Sequence, residues 1–138
     1  MTVVLVDQVT KIAATHDPSS IVLPVRNPAY ALGIVSGPAP VLIIGSVVVL
    51  GAFVVMVDAL ASRFEISVYL PALVAGGMVG NTLDRIRLGS VRDFLVTPWA
   101  IINIADIAVA AGIVGVIFTL AARVPRRRVQ LASSGGTA

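Results

Sequence analysis

The stretch VLIIGSVVVLGAFVVMVDALA, Val41 to Ala61, carries a single charge, Asp58, near its end. At a rise of about 1.5 Å per residue, a helix of this length covers the roughly 30 Å hydrocarbon core of a bilayer. The whole chain has the same character, since 57% of its 138 residues are hydrophobic and 12% are charged. An average soluble domain carries about 25% charged residues. The sequence therefore predicts an integral membrane protein.

Further apolar segments lie on both sides of this stretch, and the predicted membrane spans are residues 2–15, 41–61, 66–83 and 100–122. The first is short, and the last begins after Trp99, an aromatic residue typical of a membrane interface. Between the first two spans, Ile21, Leu23 and Val25 alternate with other residues, which predicts a short strand, and GSVRDFLV predicts another. We expect an all-α polytopic membrane protein with four transmembrane helices, a small extracytoplasmic β element and one domain over residues 1–129.

The basic residues indicate the orientation and the partners. Four of the ten lie in RVPRRR, residues 123–128, directly after the last span. Such a cluster favours the cytoplasmic side and contact with anionic lipid headgroups, so we expect membrane lipids and not nucleic acid as its partner. The prediction is a cytoplasmic C-terminus with a disordered tail at 130–138, and Asp84 and Asp93 outside. The chain has no cysteine, which excludes disulfides, thiolate metal sites and cysteine nucleophiles.

The segment GNTLDRIRLGSVRDFLVTPWAIINIAD, Gly80 to Asp106, places three of the seven acidic residues between two apolar runs. Asn81 and Asp84 are three residues apart, as are Asn103 and Asp106, so we expect each pair to share a helix face. Asp106 is expected about six residues inside its helix. Two close carboxyls that share one proton supply both a general acid and a general base, and a water between them can hydrolyse an amide bond.

Several alternatives stay open at the level of residue chemistry. A carboxylate such as Asp84, near a helix end, is more often solvated or a cap. Asp106 is costly inside a membrane, which indicates function or else an ion pair with Arg85 or Arg92. Asp7 and Lys11, four apart, predict a structural ion pair. No metal site is expected, because the single histidine has no partner at metal-ligand spacing.

Four blocks of the sequence resemble the lipoprotein signal peptidase family, also called signal peptidase II, a family of membrane aspartic proteases. The blocks are DQVTK (Asp7 to Lys11), RNPAYALG (Arg26 to Gly33), GNTLDRIRLGSVRDF (Gly80 to Phe94) and NIAD (Asn103 to Asp106). The resemblance implies that Asp93 and Asp106 are the catalytic pair. It implies that the following residues shape the site and bind substrate: Asn27, Asn81, Asp84, Arg85 and Asn103. No cofactor is implied.

The resemblance also implies a substrate and a location. Family members cut diacylglyceryl-modified prolipoproteins before the lipidated cysteine, at an extracytoplasmic site of the bacterial cell membrane, and globomycin-type inhibitors block them. This chain departs from the family pattern at Ala29, Tyr30 and Ile102. Two other hypotheses remain: a non-enzymatic ion or proton pathway through Asp106, Asp84 and Arg85, and an inactive relative that still binds lipoproteins.

Overall fold

The computed structural model describes residues 1–29 and 37–123. The predictions for Tyr30, for the arginines that follow Arg123 and for the tail at 130–138 lie outside these residues.

Four helices and a three-stranded sheet make up the described residues. The helices are α1 (Thr2–His16), α2 (Ala39–Phe64), α3 (Tyr69–Leu88) and α4 (Ile104–Arg123), and the strands are β1 (Val22–Asn27), β2 (Val91–Val96) and β3 (Ile101–Ile102). The mostly helical fold and the small β element are as the sequence predicts, including strands at both predicted places.

Two of the helices are long and apolar enough to cross a membrane, Ala39–Ala61 in α2 and Ile104–Arg123 in α4. Only 17% of the first and 22% of the second segment is buried inside the protein. Core helices of a soluble domain are mostly buried, so these exposed apolar surfaces are suited to contact with lipid. By the same criterion of length and apolarity, α1 and α3 do not qualify among the described residues.

The sheet is antiparallel with strand order β1-β2-β3. Val25 on β1 pairs with Asp93 on β2, and Asn27 pairs with Val91. Residues directly opposite, and those two positions further on, project from the same face. Asn27 therefore lies on the face of the sheet that carries Asp93.

The start of the fourth helix differs from the prediction. The sequence predicts a span from residue 100, but Ile101–Ile102 pairs with β2 as strand β3, and α4 begins at Ile104. Asp106 consequently lies in the first turn of α4 and not six residues inside it. The physical reason is local, because β-branched isoleucines fit a strand and the polar side chain of Asn103 bonds to the helix start.

Glycines allow the helices to approach closely. A Cβ atom at Gly112 of α4 would lie 2.6 Å from the carbonyl oxygen of Leu70 on α3, and one at Gly80 of α3 would lie 2.6 Å from Oδ2 of Asp7 on α1. Such small residues let helix backbones meet in a membrane. The Gly80 contact places the second half of α3 against the middle of α1, and a Cβ atom at Gly77 of α3 would meet the carbonyl oxygen of Ala105 at the start of α4.

Candidate active site

Two buried pairs of carboxylates lie where α1, α3, α4 and the sheet meet. Asp7 and Asp84 are fully buried and Asp93 is 3% exposed, while Asp106 is intermediate. We call Asp7 and Asp84 the cation-held pair, and Asp93 and Asp106 the amide-held pair, after the groups that donate to them.

Ammonium and guanidinium groups hold the first pair. Lys11 Nζ lies 2.9 Å from Asp7 Oδ2 and 3.2 Å from Asp84 Oδ2, and Arg92 Nη2 lies 2.7 Å from Asp84 Oδ1. Gln8 Nε2 donates to Asp7 and Asp84, each at 3.1 Å. The predicted ion pair between Asp7 and Lys11 is confirmed. The expectation of a solvated or capping role for Asp84 is wrong, because that carboxylate is buried among cations.

Neutral amide groups hold the second pair. Asp93 accepts from Asn103 Nδ2 at 2.6 Å and from Asn27 Nδ2 at 2.9 Å. Asp106 accepts from Asn81 Nδ2 at 2.8 Å and from the backbone N–H of Asn103 at 3.1 Å. Within residues 1–29 and 37–123, neither carboxylate takes part in an ion pair. Asn103 contacts both members of the pair and so joins them.

The predicted alternative of an ion pair between Asp106 and an arginine is wrong. Arg92 binds Asp84, and Arg85 donates from Nη2 to the carbonyl oxygen of Ala29 at 2.9 Å. A weaker bond of 3.4 Å joins Arg85 Nη1 to the carbonyl oxygen of Asn81. Arg85 thus ties the segment after β1 to α3 through two backbone oxygens.

Asn103 also holds the side chain of Asp106 in position. Its Oδ1 accepts the backbone N–H of Asp106 at 3.0 Å, and its own backbone N–H donates to Asp106 Oδ2 at 3.1 Å. This reciprocal arrangement is a capping box at the start of α4. Asn103 therefore precedes α4, which begins at Ile104. The prediction that Asn103 and Asp106 share a helix face is wrong. Because the Oδ1 atom of Asn103 accepts the N–H of Asp106, the Nδ2 donor of the same side chain points at Asp93.

Burial raises the pKa of the Asp93 carboxyl. The hydrogen bonds from Asn27 and Asn103 act in the opposite direction, and the nearby charge of Asp106 raises the pKa further. A carboxyl that keeps its proton to higher pH than an ordinary aspartic acid, beside a second carboxyl, is suited to general acid and base chemistry. A cavity of about 210 Å³ is lined by Asp93 together with Lys11, Arg26 and Arg92.

A comparison with known families shows which family the chain belongs to. A family described as signal peptidase (SPase) II matches residues 1–122. The chain belongs to the signal peptidase II family. The resemblance inferred from the four sequence blocks is thereby confirmed, and the chain is a peptidase of this family.

Individual relatives agree with this membership. The lipoprotein signal peptidase of Pelotomaculum thermopropionicum is 31% identical over 122 residues, and the match covers 80% of this chain and 80% of the relative. That of Syntrophus aciditrophicus is 37% identical over 100 residues, and the match covers 64% of this chain and 62% of the relative. A solved structure of a bacterial membrane enzyme is 27% identical, with a TM-score of 0.73 over 88% of this chain and 84% of that one.

Two residues that bind the cation-held pair, Gln8 and Arg92, are absent from the predicted set of site residues, and Arg92 is predicted only as an alternative ion-pair partner of Asp106. Gln8 Oε1 accepts from Arg92 Nη2 at 2.8 Å, and both side chains bind Asp84. The direction of the Arg92 side chain could have been predicted, because neighbouring residues of a strand point to opposite faces. Arg92 directly precedes Asp93 in β2, so it points away from the amide-held pair and toward Asp84.

Proposed function

We propose that this signal peptidase II acts as an aspartic endopeptidase, with Asp93 and Asp106 as its catalytic pair. It removes the signal peptide from diacylglyceryl-modified prolipoproteins by cutting before the lipidated cysteine. The observation that carries the proposal is that Asn103 joins these two carboxyls through bonds of 2.6 and 3.1 Å. Among the described residues, all the groups that donate to the pair are neutral amides. A neutral donor satisfies a carboxylate oxygen without fixing its charge, so the pair can exchange a proton.

In the proposed reaction the pair shares one proton and titrates as a unit. The ionised carboxyl takes a proton from a water, whose oxygen bonds to the scissile carbonyl carbon. The protonated carboxyl stabilises the carbonyl oxygen, and the carbon–nitrogen bond then breaks as the departing amine takes a proton from the pair. One water is consumed and no cofactor takes part.

The roles of the surrounding residues follow from their contacts. Asn27, Asn81 and Asn103 hold the two catalytic carboxyls in place through the amide hydrogen bonds. The family resemblance implies that Asp84 and Arg85 shape the site and bind substrate. Their contacts favour a positioning role instead, because Asp84 is occupied by Lys11 and Arg92 and Arg85 is bound to backbone carbonyls.

We further propose four membrane crossings with the site on the extracytoplasmic side of the bacterial cell membrane. The middle of α1, the end of α3 and the start of α4 carry residues of the two acid pairs and their partners. If every helix crosses, α1 and α3 run toward the site and α2 and α4 run away from it. Both ends of the chain then lie on the opposite, cytoplasmic side. Membrane lipids would surround the exposed apolar faces of α2 and α4.

The alternative of a proton relay through Asp106, Asp84 and Arg85 has less support. The hydrogen bonds of Asp106 are made with Asn81 and Asn103, whereas Asp84 and Arg85 bind other groups. An inactive lipoprotein-binding relative is also less supported, because both carboxyls required for the chemistry are in place.

The test is cleavage of a purified diacylglyceryl prolipoprotein by the full chain in detergent, followed by mass spectrometry of the products. We expect a cut before the lipidated cysteine, inhibition by a globomycin-type compound and no cleavage of the unlipidated precursor. Asp93→Asn and Asp106→Asn should each abolish the reaction. Normal processing by either variant would refute the assignment of the pair.

A further inference from the structure

We propose that Lys11 is a positioning residue for the catalytic pair, because it fixes the orientation of the Asn81 amide so that this amide donates to Asp106. The inference rests on the proposed catalytic role of Asp93 and Asp106. It gives Lys11 a part in the reaction beyond its ion pair with Asp7.

The geometry forms a chain of two hydrogen bonds. The fully buried Lys11 Nζ donates to Asn81 Oδ1 at 2.9 Å, and Asn81 Nδ2 donates to Asp106 Oδ1 at 2.8 Å. An ammonium group has only donors and a carboxylate has only acceptors. A flipped Asn81 amide would place its N–H groups against the ammonium and its oxygen against the carboxylate, which are two repulsive contacts. The observed orientation is therefore the one that Lys11 permits.

Lys11 itself is held rigidly enough to do this. Its three N–H groups match three acceptors, since the ammonium lies 2.9 Å from Asp7, 3.2 Å from Asp84 and 2.9 Å from Asn81. Asp7 is held in turn by the backbone N–H of Ala105 at 3.0 Å. The cation-held pair thus fixes the position of the Lys11 ammonium, and the ammonium fixes the orientation of the Asn81 side-chain amide.

Among residues 1–29 and 37–123, one other group donates to the side-chain oxygen of Asn81, and it is the weaker constraint. Asn103 Nδ2 lies 3.2 Å from Asn81 Oδ1 and makes its shorter bond, 2.6 Å, with Asp93. A neutral donor also opposes a flipped amide less strongly than a buried charge does. Removal of Lys11 should consequently leave Asn81 partly disordered between two orientations. In the wrong one, a lone pair faces Asp106 and displaces the catalytic carboxyl from its productive position.

The test is a double-mutant cycle between Lys11→Met and Asn81→Ala, with kcat and KM measured for the full chain in detergent on a diacylglyceryl prolipoprotein. A small misplacement of a catalytic group costs up to about 100-fold in rate. We expect Lys11→Met to lower kcat by about 10-fold or more with little change in KM. In the Asn81→Ala background the same substitution should change kcat by less than about twofold, because the amide through which Lys11 acts is gone.

Gln8→Ala is the matched control. It removes neutral hydrogen bonds to Asp7, Asp84 and Arg92 but leaves the three contacts of the Lys11 ammonium in place, and Gln8 makes no hydrogen bond to Asn81 within the described part of the chain. It should lower the melting temperature with little loss of kcat. If Lys11→Met does not fold, the charge-balanced double variant Asp7→Asn with Lys11→Met replaces it, with Asp7→Asn alone as its reference.

The outcomes separate this inference from the proposed function. Equal losses of kcat in both backgrounds, or wild-type kcat in Lys11→Met, would overturn the role of Lys11 while Asp93→Asn and Asp106→Asn remain inactive. Cleavage by either of those aspartate variants would instead overturn the catalytic pair itself. A loss of kcat that is confined to the background with an intact Asn81 supports the inference.

Discussion

The two acid pairs of this protein are built from the same residue type and lie at the same end of the helices, yet their partners differ. Asp7 and Asp84 are bound by Lys11 and Arg92, whereas Asp93 and Asp106, in the part of the chain that the structure describes, accept from amide groups alone. A buried carboxylate must be compensated in either case. A cation fixes its charge permanently, which suits a scaffold, while an amide satisfies the oxygens and leaves the proton free to move, which suits chemistry.

The largest expected effect is on the amide-held pair. Asp106→Asn removes an acid from the dyad and keeps its shape, so we expect turnover to fall by about 10⁴-fold or more while the protein stays folded. The measurement is single-turnover cleavage of a diacylglyceryl prolipoprotein together with the melting temperature. Asp58→Asn is the control, since it makes the same chemical change at an exposed carboxylate of α2 and should leave the rate unaltered. A variant that loses activity only because it unfolds would contradict the contrast between the two pairs.

The next effect is on the cation-held pair. Asp84→Ala leaves buried Lys11 and the partly buried Arg92 without one carboxylate, and loss of one partner of a buried ion pair costs about 3–5 kcal/mol. We expect this loss in the free energy of unfolding, measured with denaturant on the protein in detergent. Asp93→Asn, in the other pair, should be far less destabilising. Similar losses in both variants would show that both pairs serve the fold.

A third expectation concerns the pH dependence of the rate. The Asn27 amide donates to the Asp93 carboxylate, which favours the charged form and lowers its pKa against the effect of burial. Asn27→Ala removes this donor, so the pKa of Asp93 rises further above its usual value. The limb of the kcat profile that reports Asp93 should move to higher pH, whether Asp93 acts as the acid or as the base. Gln8→Ala, which removes an amide donor from Asp84, should leave the profile in place, and a shift toward lower pH in Asn27→Ala would contradict the expectation.

The smallest effect is expected at an ion pair outside both groups. Arg123 and Glu65 form a salt bridge in which the side chains are 43% and 81% exposed. Exposed pairs contribute little because water screens them. Glu65→Gln should change the free energy of unfolding by less than about 0.5 kcal/mol, measured in the same way as for Asp84→Ala. If Glu65→Gln lowered the free energy of unfolding as much as Asp84→Ala, burial could not explain why the cation-held pair contributes more to stability than the exposed pair.

Much of the fold was predictable because its signals are local. The length and apolarity of the runs predict the helices, and the alternation around Leu23 predicts β1. The start of α4 was predicted too early, although the spacing of Asn103 and Asp106 contains the signal of a capping box. The apolar residues before Asn103 led to the early predicted start, since isoleucine fits both a membrane helix and a strand.

The sequence by itself determined that this is a membrane protein, that it belongs to the signal peptidase II family and which carboxylates are candidates for catalysis. These depend on composition and on residues close together in the chain. Only the tertiary structure decided which acid receives a cation and which receives an amide. Arg92 and Asp93 are neighbours, and the alternation of β2 sends the first to Asp84 and the second to Asn103. Lys11 and Asn81 are 70 residues apart, and only the packing of α1 against α3 brings them into contact.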